Sequence, residues 1–127
     1  MIVKILSILS HRDKTYVNYE TSAGCGVAAW IGPTPKVGEH IDVEFDLNDI
    51  FCWKDNITQS PQHEEKIELI DSTTYITAEL IFGHDGNCAA LRIGSSIILI
   101  DLKEKPDNVP KYVNLKTTNI SLYPTNI

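Results

Sequence analysis

The stretch that decides the fold runs from His40 to Leu47 and reads His-Ile-Asp-Val-Glu-Phe-Asp-Leu. Ile41, Val43, Phe45 and Leu47 alternate with His40, Asp42, Glu44 and Asp46. Successive side chains of a strand point to opposite faces, so this period of two predicts a β-strand with one face in a core and one acidic face in water. The composition around it agrees. Seventeen Ile, seven Val and ten Thr carry β-branched side chains that are stiff at χ1 and pack best on a pleated surface. Further strands are predicted over residues 2–9, 15–20, 25–31, 66–70, 75–82, 89–93, 96–102, 111–115 and 119–123. Turn signals separate them: His11-Arg12-Asp13-Lys14 as a charged hairpin tip, then Gly32-Pro33-Thr34-Pro35, His84-Asp85-Gly86-Asn87, Gly94-Ser95 and Pro106-Asp107-Asn108. No window sustains a helical period. At most a helical turn is expected over 46–50 and over 60–66, the latter because Ser60-Pro61 resembles an N-cap followed by proline.

Short strands at close spacing predict an all-β chain, a small barrel or sandwich or a two-lobed OB-like arrangement with little helix, forming one domain over 1–127. The segments at about 1–50 and 75–124 each hold a long first strand, a short-stranded hairpin, a proline-bearing turn and an alternating strand. That parallel suggests a weak internal duplication. The longest polar stretch, 54–66, has Ile57 as its only aliphatic residue and reads as an excursion from the barrel.

The chain has 127 residues, 43% of them hydrophobic and 22% charged, the balance of an ordinary globular domain large enough to fold without metal or disulfide. Its net charge of -6 disfavours DNA, RNA or an anionic membrane as main partner and favours a basic one. The acidity belongs to one segment. Nine acids fall between Asp42 and Asp71 against Lys54 and Lys66, whereas the remainder holds eight acids and nine bases. On a strand, Asp42, Glu44 and Asp46 project from one face about 6.6 to 6.8 Å apart. Such a ladder of like charges destabilises the fold unless neighbours neutralise it. Two readings follow: a lysine-bearing strand or solvent screens the face, or the face is prepared for a basic protein. The candidate partner-binding set is Asp42, Glu44, Asp46, Asp49, Trp53, Asp55, Glu64 and Glu65, with Trp53 as a half-exposed anchor beside the polar loop.

No catalytic signature is present. Cys25, Cys52 and Cys88 are odd in number and lack CxxC spacing, which suits reduced thiols acting as small packing residues in the cytoplasm. His11, His40, His63 and His84 show no metal-ligand spacing, and no DxDxDG loop exists for calcium. No cofactor, metal or catalytic residue is expected. No apolar run is long enough for a signal peptide or a membrane span. Trp30, Trp53, Tyr16, Tyr19 and Phe51 would serve as a base-stacking platform if an OB-like face exposed them, which keeps a nucleic-acid-binding module as the alternative, beside a small enzyme with an unrecognised site. The dispersed lysines favour placing these aromatics in the core.

The segment Ile76 to Pro124, through Leu91-Arg92-Ile93-Gly94, Ile97 to Asp101, Pro106 and a last strand pair, resembles small all-β immunity proteins of bacterial contact-dependent growth inhibition and other polymorphic toxin systems. The likeness lies in hydrophobic spacing and carries no site residues across. What it implies is a role: an acidic, cytoplasmic, non-enzymatic protein that binds and blocks a cognate toxin, often a basic nuclease. A monomer in a 1:1 complex with that toxin domain is expected.

Overall fold

The computed structural model describes residues 1–83 and 88–125, so the turn expected at His84 to Asn87 lies outside the described residues. Among the described residues twelve strands follow one another: β1 (Ile2–His11), β2 (Lys14–Thr21), β3 (Gly24–Trp30), β4 (His40–Leu47), β5 (Ile50–Phe51), β6 (Ile57–Gln59), β7 (Lys66–Ile70), β8 (Thr73–Phe82), β9 (Ala89–Ile93), β10 (Ser96–Leu102), β11 (Tyr112–Thr117) and β12 (Ile120–Pro124). No helix occurs among the described residues. The helical turns expected at 46–50 and 60–66 are absent. Ser60 instead closes a local turn: its hydroxyl donates to the carbonyl of Gln62 and accepts from the Gln62 N–H, the competition with helix that short hydroxyl side chains offer. The polar stretch 54–66 contains β6, which pairs with β11 through Ile57 and Leu115.

Hairpin chemistry sets the local order. Arg12 and Asp13 have φ of 52° and 63°, and Asp71 and Ser72 have 49° and 66°. Two successive left-handed residues give the turn whose twist matches that of the flanking strands. The register of β1 on β2 shifts between Ile5 and Ser7, and this irregularity leaves Leu6 exposed while bending the strand around the core.

The first lobe is a closed five-stranded barrel. β1 pairs with β2, β2 with β3, β3 in parallel with β12, β12 with β4, and β4 with β1. The second lobe follows a similar scheme around β8, which pairs with β9 along one edge and with β11 along the other. β9 pairs with β10, β5 lies parallel to the end of β10, and β6 lies antiparallel to β11. The chain leaving β4 thus completes the second lobe, and the chain leaving β11 returns to complete the first. Corresponding bonds stand at the ends of β3 and β10: Ile31 N–H to Leu122 O at 2.9 Å, within the closed first lobe, and Lys103 N–H to Phe51 O at 3.0 Å in the second, where no ladder between β5 and β11 closes a ring among the described residues. Where the two segments cross, Asn48 N–H donates to the Asn119 carbonyl, and the Asn48 side-chain amide donates to Ser121 Oγ.

β7 ties the lobes into one sheet by pairing with β8 and touching β3 at Gly24. Gly24 has φ of 138°, and a Cβ there would collide with the Ile67 carbonyl oxygen, so only glycine fits this close approach. One apolar cluster runs through both lobes, with Val3, Ile5, Tyr19, Phe45 and Leu122 from the first and Phe51, Ile57, Leu91, Val113 and Leu115 from the second. Burying each of the aliphatic and phenylalanine side chains among them contributes about 1.5 to 3 kcal/mol.

Candidate protein-binding groove

Because Val43, Phe45 and Leu47 face the core of the first lobe, Asp42, Glu44 and Asp46 stand on its outside. In the second lobe the run Ser96 to Ile100 also alternates, burying Ile98 and Ile100 and leaving Ile97 and Leu99 52% and 69% exposed. These surfaces face each other across a groove of about 660 Å³. Its walls are the carboxylates of β4 on one side and Ile97 and Leu99 on the other, with Met1, Tyr123 and Thr125 at its margin.

The strands flanking the ladder decide its electrostatics. Asp42 lies opposite Ile2 on β1, Glu44 opposite Tyr123 and Asp46 opposite Ser121 on β12. Among the described residues no lysine or arginine stands directly opposite any of the three; Lys4 lies diagonally across from Asp42, opposite His40, and makes no ion pair with it. Asp42 is neutralised differently: its Oδ1 accepts from the Met1 amino group at 2.8 Å and its Oδ2 from the Thr125 hydroxyl at 3.0 Å. These hydrogen bonds, with the charge of the amino group, hold the Asp42 carboxyl below the ordinary 3.8 of an aspartate. Glu44 and Asp46 have no ion pair among the described residues.

The other candidate residues lie elsewhere. Asp49 accepts the Thr117 hydroxyl at 2.6 Å beside the crossing of the two segments. Trp53 is half-buried against the core, and its indole N–H donates to the Glu104 carbonyl at 2.8 Å, so it fastens the β5–β6 turn to the strand end after β10. Asp55 sits in that turn, where its N–H reaches the Cys52 carbonyl. Glu64 is exposed in the segment before β7. Glu65 accepts the Gly94 N–H at 2.7 Å. The structure therefore brings Asp42, Glu44 and Asp46 together and disperses the rest. Sequence reasoning missed Ile97 and Leu99: an unbroken aliphatic run does not reveal which of its faces is open.

Tyr19, Trp30 and Phe51 are buried. The Trp30 indole N–H donates to the Pro33 carbonyl, and Tyr19 meets Phe45 edge-to-face with ring centroids 5.4 Å apart. These three aromatics belong to the core. The cysteines are free, Cys25 and Cys52 half-buried and Cys88 exposed. Among the described residues no three His, Cys, Asp or Glu side chains converge as metal ligands, and no helix is long and apolar enough to cross a membrane.

Comparison of the chain with family models, with curated proteins and with solved structures returned no match.

Proposed function

We propose that this chain is an immunity protein, a cytoplasmic bacterial inhibitor that binds one cognate basic toxin domain as a monomer in a 1:1 complex. A nuclease suits the role, because an enzyme that binds a polyanion presents the positive surface that an acidic inhibitor complements. The single observation carrying this reading is the unneutralised pair Glu44 and Asp46, exposed on a strand whose neighbours supply Tyr123 and Ser121 rather than lysine. Like charges kept side by side without compensation lower stability, and a cationic partner supplies the compensation. Burial of Tyr19, Trp30 and Phe51 counts against the nucleic-acid-binding alternative, since a stacking platform needs exposed rings. The test is co-expression with the product of the gene immediately upstream, which the proposal expects to carry a basic domain. The expected result is a 1:1 complex that weakens with salt and restores growth of cells expressing that domain. Failure to form a complex at low ionic strength, with no protection of growth, would overturn the proposal.

A further inference from the structure

Between Ser96 and Ile100, β10 is hydrogen-bonded along one edge only. Gly94-Ser95 is a two-residue hairpin turn closed by Ile93 and Ser96, so Ser96, Ile98 and Ile100 direct their backbone groups at β9, and Ile97 and Leu99 direct theirs away. The parity is confirmed further along the strand, where Lys103 N–H reaches Phe51 O on that second edge. β5 fills the edge only at Asp101 and Leu102. Among the described residues no backbone group pairs with Ile97 or Leu99 on this side. An open edge is ordinarily blunted with lysine, proline or a covering loop. Ser-Ile-Ile-Leu-Ile carries none of these protections, and Ile97 and Leu99 line one groove together with Glu44 and Asp46 of β4, a strand that comes within 8 Å of β10 over part of its length.

We infer that the groove receives an extended, lysine- or arginine-bearing segment of the partner, which adds as a strand to the free edge of β10 at Ile97 and Leu99. Main-chain hydrogen bonds to these two residues supply affinity, and alternate side chains supply selectivity. Apolar side chains cover Ile97 and Leu99 while cations reach across to Glu44 and Asp46. The charge selects this occupant over a second copy of the chain, which would bring its own carboxylates against the same wall. The inference rests on the proposed basic partner and adds how that partner is held.

The experiment uses the full chain and two nine-residue peptides of alternating lysine and valine, one unmodified and one N-methylated at alternate amides on the pairing edge. Binding is read by fluorescence anisotropy, and site by amide hydrogen exchange. Expected are protection of the Ile97 and Leu99 amides by the first peptide and affinity about tenfold weaker for the second, since two backbone hydrogen bonds are lost. Equal binding of both peptides, with shifts confined to Glu44 and Asp46, would overturn strand addition and leave the acidic surface standing. Binding of neither peptide would overturn strand addition alone, because the toxin reading fails only on its own complex-formation test. A concentration-dependent dimer that protects the same two amides without peptide would assign the edge to a second copy and overturn the inference.

Discussion

Neutralising the acidic ladder separates three carboxylates that look equivalent in sequence. Glu44 and Asp46 are two residues apart on one strand face, about 6.7 Å along β4. At that distance two unit charges repel by about 0.6 kcal/mol in water, and a Debye length near 8 Å at physiological salt cuts this by roughly half. Glu44→Gln with Asp46→Asn should therefore leave the melting temperature unchanged or raise it by about one or two degrees. Asp42→Asn should lower it, because the Met1 amino group and the Thr125 hydroxyl lose the carboxylate that they hold. Association with the basic partner should slow roughly three- to tenfold at low salt in the Glu44/Asp46 double variant, with the difference shrinking at high salt. Thermal unfolding, circular dichroism and stopped-flow association at two salt concentrations read these outcomes. A double variant that loses several degrees, or one whose association rate matches the parent at both salts, would refute the reasoning: the first by showing a hidden stabilising partner, the second by removing the face from the interface.

Asp42 gives a pH dependence of known sign. Its carboxyl is held below 3.8 in the folded chain, so its contribution to stability is complete above that value and is lost as pH falls through the lower folded value; urea unfolding between pH 2 and 5 should show an acid limb that Asp42→Asn flattens. The Tyr19 hydroxyl is buried with no hydrogen-bond partner among the described residues, and burial, with a smaller effect from Cys25, pushes its ionisation upward. Tyr19→Phe is expected to raise stability by about 1 kcal/mol, a few degrees in Tm, since it removes an unsatisfied polar group at little cost in packing. Leu122→Ala, at a fully buried site on the strand that closes the first lobe, should cost about 2 to 5 kcal/mol in denaturant unfolding.

Much of this fold is legible in the sequence because most strands have a period or a boundary that physics recognises. The predicted spans 66–70, 89–93 and 96–102 coincide with β7, β9 and β10, and His40–Leu47 is β4. β5 and β6 are not legible. Ile50–Phe51 is too short to show alternation, and Ile57 is alone in a polar stretch, yet Phe51 and Ile57 are fully buried because tertiary pairing rather than local pattern holds them. The site divides in the same way. Alternation reveals that Asp42, Glu44 and Asp46 share a face, but the Met1 amino group that neutralises Asp42 comes from a residue 41 positions away. Charge counting assigned Asp49 and Glu65 to the same surface, and only the structure reveals that Thr117 and Gly94 engage them.

The reciprocal crossing of the closing strands connects these facts to the groove. Had each lobe been completed by the segment following its own fourth strand, the lobes would be joined mainly by a linker and by β7. Instead β5 and β6 leave the first lobe to pair with β10 and β11, and β12 leaves the second to pair with β3 and β4. Both connections pass through the point where Asn48 meets Asn119, and two short tethers through one crossing restrict how the lobes can turn. β4 and β10 are consequently held across a groove rather than left on independent surfaces. The same arrangement explains the free edge: β5 follows so soon after the crossing that it reaches only Asp101 and Leu102, leaving Ile97 and Leu99 open beside the unneutralised carboxylates of β4. Closure of the fold and availability of the edge are thus two consequences of one path of the chain.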